Sequence, residues 1–179
     1  MRPLFRSIPL LAALVAGCAT MTAGSHVERG AEFTHYRTWE WAPAEERSTG
    51  DPRLDNNPMF ELHLRSAVEH QLAGKGYVRT PFAGPPDLRA QYHVNFNRTT
   101  EISSCGGSVG SSSRDCEPEA YAYEQGTLVV DLVDARTSKV VWSGWSRDTM
   151  EGVIDNQERM ERKIDRVVAA IFERIPRAR

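Results

Sequence analysis

The hydrophobic and polar positions of this chain fall into a few sharply patterned segments separated by polar, Gly/Pro-rich stretches. The clearest is Leu88 to Asn97, where Leu88, Ala90, Tyr92, Val94 and Phe96 alternate with Arg89, Gln91, His93, Asn95 and Asn97. A period of two predicts a strand with one buried face and one polar face. Tyr36 to Trp41 alternates in the same way, and Tyr77 to Thr80 reads as a short strand. Two more strands are predicted over 125–133 and 139–147, joined through 134–138 as a hairpin.

Helical periodicity appears twice. Phe60, Leu64, Ala67, Val68 and Leu72 share one face behind Asn57-Pro58, an N-cap residue followed by a proline where its missing N–H costs nothing. Gly74 or Gly76 ends that helix. Met160, Ile164, Val167, Val168, Ile171, Phe172 and Ile175 form a second stripe over 156–175, with Asp155 and Glu158 as a capping-box-like start and Pro176 as the stop. The order is β-α-β-β-β-β-α. Two amphipathic helices need one apolar surface to cover. The expected fold is therefore α+β, a two-layer sandwich with a mostly antiparallel sheet of about five strands against two helices. The first two strands could run parallel through a right-handed helical crossover.

The N-terminus has a different pattern. Arg2 and Arg6 precede an apolar stretch from Ile8 to Val15, and the small residues Ala16 and Gly17 precede Cys18. This is the layout of a secretory signal, and the stretch is too short to span a bilayer. Val15-Ala16-Gly17-Cys18 resembles the lipobox of bacterial lipoproteins. That resemblance implies cleavage before Cys18 and lipidation of it by a diacylglyceryl group and an N-acyl chain. With Ala19 rather than aspartate next, it implies retention at the outer membrane, facing the periplasm. The domain plan is a signal peptide at 1–17, a lipidated cysteine and flexible tether at 18–32, and one domain at 33–179.

Charge and cysteine count add two points. The chain carries 22 basic and 24 acidic residues. Removal of Arg2 and Arg6 leaves 20 against 24, a net charge of −4 with neutral histidines, which argues against nucleic acid as a partner. Of the three cysteines, Cys18 is taken by lipid, leaving Cys105 and Cys116. In an oxidising periplasm these are expected to pair as a disulfide across the Ser/Gly-rich loop 103–119; two free thiols or a metal pair are the alternative.

The segments Tyr36 to Trp41, Leu72-Ala73-Gly74-Lys75-Gly76-Tyr77, Pro86-Asp87-Leu88 with Tyr92, Gly126-Thr127-Leu128-Val129-Val130-Asp131 with Asp134, and Val140-Val141-Trp142-Ser143-Gly144 together resemble the bacterial lipoprotein family known as domain of unknown function 4136. The resemblance runs from Phe33 to Pro176. It implies a periplasm-facing lipoprotein and supplies no catalytic residue.

Candidate chemistry is sparse. Gly106-Gly107-Ser108-Val109-Gly110 matches a nucleophile elbow, but all five histidines (26, 35, 63, 70, 93) precede Ser108, and no helix signal follows it. His63 and His70 are seven apart, too far for a helical metal pair. Asp131 and Asp134 read as a strand-end residue and a turn residue. No catalytic residue, metal site or cofactor is expected. Trp142 and Trp145 have opposite parity on one strand, so one of them can lie on an open sheet face with Arg89, Gln91, His93 and Asn95; the alternative is that the second helix or a loop covers it. The possible binding face is therefore Arg89, Gln91, His93, Asn95 and Trp145. The expected function is a non-catalytic binding or scaffolding module of the cell envelope, held to the membrane by lipid on Cys18, with an envelope protein or the cell wall as partner. The alternatives are a carrier of a small lipid or glycan, and a hydrolase acting through the Ser/Gly loop.

Overall fold

A computed structural model describes residues 21–43, 48–80, 84–102 and 120–178. Six strands form one sheet: β1 (Thr22–Val27), β2 (Thr38–Trp41), β3 (Val78–Arg79), β4 (Leu88–Ile102), β5 (Ala120–Asp134) and β6 (Val140–Thr149). Three helices accompany them, α1 (Pro52–Asp55), α2 (Pro58–Gly74) and α3 (Gln157–Phe172). The sheet order is β1-β6-β5-β4-β2-β3. Pairs β1–β6, β6–β5 and β5–β4 are antiparallel, while β2 runs parallel to both β4 and β3. The fold is thus a mixed α/β domain with a mostly antiparallel sheet, of six strands rather than five. The parallel pair between the strands flanking α2 is present.

The alternation read from β4 continues across the sheet. Trp39, Leu88, Ala90, Leu128, Val130, Leu132 and Trp142 are buried in one cluster with Phe60, Leu64, Val68 and Leu72 of α2 and Ile164, Val168, Ile171 and Phe172 of α3. Both helices therefore cover the same face. Gly144 lets α3 approach: a Cβ there would lie 2.6 Å from Ile171 Cγ2 and against the Trp142 ring. Asn57 caps α2 by accepting from the backbone N–H groups of Met59 and Phe60, as its sequence predicts.

Four expectations need correction. The stretch 18–32 is not tether throughout, because Thr22–Val27 pairs along β6 from Thr22↔Arg147 to Val27↔Trp142. The domain thus begins by Thr22, not near Phe33; an edge strand of small polar residues satisfies its backbone without a hydrophobic pattern to announce it. The supposed loop 42–57 contains α1, capped by Asp51, whose carboxylate accepts from the Arg53 backbone N–H. The N-cap of α3 is Asn156, which accepts from Arg159 N–H at 3.0 Å; Asp155 instead receives the Arg53 guanidinium at 3.0 Å. Strands β4 and β5 run well past 97 and 125, pairing as far as Ile102↔Ala120.

Candidate functional site

Cross-strand partners in a sheet project to the same face. The register places Arg89 opposite Val133, Gln91 opposite Asp131, His93 opposite Val129 and Asn95 opposite Thr127. Those β5 residues in turn face Ser143, Trp145 and Arg147 of β6 across Asp131, Val129 and Thr127 respectively. Gly24 of β1 completes the row His93, Val129, Trp145, Gly24. All five residues of the expected binding face thus share one side of the sheet, the side away from α2 and α3. Arg89, Gln91 and His93 are half-buried, and Asn95 is exposed.

Trp145 is the largest apolar group on this side and is 42% exposed. Its indole lies over β1: a Cβ at Gly24 would fall 2.9 Å from Trp145 Cζ2. A side chain at position 24 would therefore lift the ring, and glycine keeps it flat. Around it the polar groups are already loosely linked. Gln91 Nε2 donates to Asp131 Oδ2 at 3.4 Å, and the same oxygen stands 3.7 Å from His93 Nε2. Arg89 Nε reaches Glu40 Oε1 at 3.5 Å. The result is an aromatic platform beside a strip of amide, imidazole, carboxylate and guanidinium groups. Such a surface can bind a partner by stacking and hydrogen bonding.

It is poorly arranged for nucleophilic catalysis. Ser143, Asp131 and His93 are the residue types of a hydrolytic triad, but the carboxylate lies between the other two. Serine and histidine sit on strands separated by a third, about 10 Å apart, whereas the base of a triad must touch its nucleophile.

A second polar group is structural. Tyr36 Oη donates to Asp134 Oδ2 at 2.9 Å. Asp134 Oδ1 accepts from the backbone N–H groups of Arg136 and Thr137, closing the β5–β6 turn. Asp87 Oδ2 accepts from the backbone N–H groups of Arg37 and Thr38 and from the Thr38 hydroxyl. Burial pushes both carboxyls up, but these donors outweigh it and hold both below the usual aspartate value. Burial, then the hydrogen bond to Asp134, raises Tyr36 to about 12. Two carboxylates both held ionised cannot divide into acid and base. Tyr36, Asp87 and Asp134 lie in segments that carry the family resemblance, so that part of the pattern reflects the tying of β2 and β4 to the β5–β6 turn.

Sequence reasoning missed one charged pair. Asp148 points toward the helices, is 4% exposed, and is met by Lys163 Nζ at 2.6 Å and Arg166 Nη2 at 3.7 Å. Its parity with Trp142, Gly144 and Ser146 was the available signal. A cavity of about 50 Å³ lies nearby, lined by Phe96, Leu128, Met150, Ile164 and Val167 as well as this pair. His63 Nε2 stands 3.0 Å from Asp165 Oδ1 and bridges α2 to α3, while His70 is exposed. Among the described residues no group of three or more His, Cys, Asp or Glu is placed to hold a metal, and no helix is long and apolar enough to cross a membrane. Cys18, Cys105, Cys116 and Ser108 lie outside the described residues.

Fold and surface together define a mixed α/β domain with one helix-covered sheet face and one open, polar-aromatic face. The family model for domain of unknown function DUF4136 matches residues 24–177, and the chain belongs to that family. No curated protein matches it. Among solved structures it is similar to a PDZ domain protein from Parabacteroides distasonis ATCC 8503, with a TM-score of 0.52 and 13% identity over 86% of this chain, which spans only 36% of that one. It is also similar to the PelC dodecamer from Paraburkholderia phytofirmans (TM-score 0.48, 15% identity, 89% of this chain and 99% of that one). A DUF4136 family protein from Bacteroides thetaiotaomicron VPI-5482 gives a TM-score of 0.44 at 11% identity, covering 82% of this chain and 93% of that one. The first of these likenesses bears on the fold alone.

Proposed function

We propose that this protein is a non-catalytic binding module of the bacterial cell envelope, anchored by lipid on Cys18 at the outer membrane and facing the periplasm. Its binding surface is the open sheet face carrying Arg89, Gln91, His93, Asn95 and Trp145. The observation that supports it best is Trp145, 42% exposed and seated flat over Gly24 in the same row as His93. Exposed tryptophan ringed by polar groups is the composition of an interaction hot spot. The partner class is an envelope protein or the cell wall. The alternative of a small-lipid or glycan carrier has less support. The apolar cavity between sheet and helices is about 50 Å³, room for a few waters. The larger hollow of about 760 Å³ is an open surface lined mainly by charged residues, Arg159, Arg162, Lys163, Asp165 and Arg166, not an apolar enclosure.

Two covalent features belong to this proposal. Cleavage at 17/18 would leave three residues, 19–21, between Cys18 and Thr22, the first residue of β1. A Cys105–Cys116 disulfide fits the described ladder, since its last rung is Ile102↔Ala120 and the cysteines follow and precede it by three and four residues.

The test is a photo-cross-linking residue placed at Trp145 and, as a control on the helix side, at exposed Leu62. A defined partner captured from position 145 and absent from position 62 is the expected result. Equal capture at both positions contradicts the assignment. Mass spectrometry of the mature N-terminus should find diacylglyceryl-cysteine at Cys18.

A further inference from the structure

Strand directions place two features at one end of the sheet. Strand β1 is antiparallel to β6, which is antiparallel to β5, which is antiparallel to β4. The N-terminal end of β1 therefore lies at the same end as the N-terminus of β5 and the C-terminus of β4. Thr22 stands in one row with Arg147, Thr127 and Asn95. From that row β4 continues seven more residues to Ile102, paired throughout with β5. At about 3.4 Å per residue, this β4–β5 ribbon extends roughly 24 Å beyond Thr22.

The distance to the anchor is shorter. Four steps separate Cys18 from Thr22, a span of at most about 14 Å even when fully extended. Had residues 19–32 been tether, the domain could have stood clear of the bilayer; β1 removes that freedom. The outer part of the ribbon, Thr99–Ile102 with Ala120–Tyr123, has no third strand beside it among the described residues, because β6 pairs with β5 only from Gln125 onward. A two-stranded ribbon alone in water is marginal and gains from a surface to lie on. Tyr123 of β5 lies in this part, and exposed Arg98, on the opposite side of the ribbon, lies at its base. Tyrosine and arginine both suit the water–headgroup boundary.

We infer that the β4–β5 ribbon is a second membrane contact, lying on the phospholipid headgroup layer beside the lipid anchor and fixing the orientation of the domain. This rests on the reading of Cys18 as the lipidated residue. The short tether cannot hold the domain upright on this end without driving the ribbon into the bilayer, so the ribbon lies along the surface.

The test is amide hydrogen exchange of the full lipidated protein on vesicles of phosphatidylethanolamine and phosphatidylglycerol, compared with the Cys18→Ser protein in solution. Peptides covering 98–102 and 120–124 should exchange roughly tenfold more slowly on vesicles, with α3 unchanged. Inserting about 12 Gly/Ser residues between Met21 and Thr22 adds a coil of roughly 19 Å and should return the ribbon to its solution rate while the protein still floats with vesicles. Floating, lipidated protein whose ribbon exchanges as fast as in solution overturns the contact alone. Protection that survives the insertion overturns the short tether as its cause. An unmodified Cys18 overturns the anchoring, and the contact with it.

Discussion

Trp142 and Trp145 stand three residues apart on β6 and meet opposite fates. Trp142 is 0% exposed, its ring 5.1 Å from that of Phe172 on α3. Trp145 is 42% exposed on the face that no helix covers. Their parity along one strand accounts for the whole difference. The covered face stabilises the fold, and the open face is the one to which the proposed binding role is assigned. The covered face holds a buried Asp148 that Lys163 and Arg166 reach from α3 and to which the Thr149 backbone N–H donates. On the open face the charged groups are more exposed and their links looser, as between Arg89 and Glu40 at 3.5 Å.

This contrast can be broken or sharpened by substitution. The largest effect is expected at Trp142→Ala, which should cost about 3–5 kcal/mol in urea unfolding by leaving a cavity under α3. Gly144→Ala follows at about 1–3 kcal/mol, since its methyl would press on Trp142 and Ile171. A loss there as small as that of an ordinary surface change would show that α3 is not seated as described.

Tyr36→Phe should cost about 1 kcal/mol by leaving Asp134 one donor short. The pH dependence has two limbs. Asp87 and Asp134 have lowered values in the folded state, so their contribution is present above the ordinary aspartate value, near 3.8, and is lost as pH falls below it. Tyr36 is raised to about 12, so its contribution is complete below 10 and is lost as pH rises toward 12. Thermal melts of wild type and Tyr36→Phe should therefore converge at the alkaline end. The smallest effect on stability is expected at Trp145→Ala, within about 0.5 kcal/mol.

Much of the architecture was legible because it rests on local chemistry. The alternation from Leu88 to Phe96, the Asn57-Pro58 start of α2 and Gly76 just past its end, at φ 91°, each carry a pattern that survives into the structure. What escaped did so for physical reasons. Thr22–Val27 has no apolar face because it is an edge strand of small residues. The outer arms of β4 and β5 are paired but have no third strand beside them among the described residues. Asp148 breaks the inward apolar pattern of β6, and its partners come from another element. Asp155 and Asn156 are both good caps in sequence; in the structure Asn156 accepts from the Arg159 N–H, while Asp155 accepts from the Arg53 guanidinium. The candidate face needed just the parity of β4 and β6, so its five residues were readable. The platform that Gly24 provides for Trp145 was not, since it depends on a strand the sequence conceals.

The central claim is that the open face binds and the covered face only stabilises. The most direct measurement compares the wild-type face with the Trp145→Ala/His93→Ala variant, both carrying the photo-cross-linking residue at exposed Arg147 of the same face, and follows urea unfolding and partner capture on the same preparations. Unchanged unfolding with loss of capture is the predicted result. Undiminished capture by a folded double variant would contradict the claim.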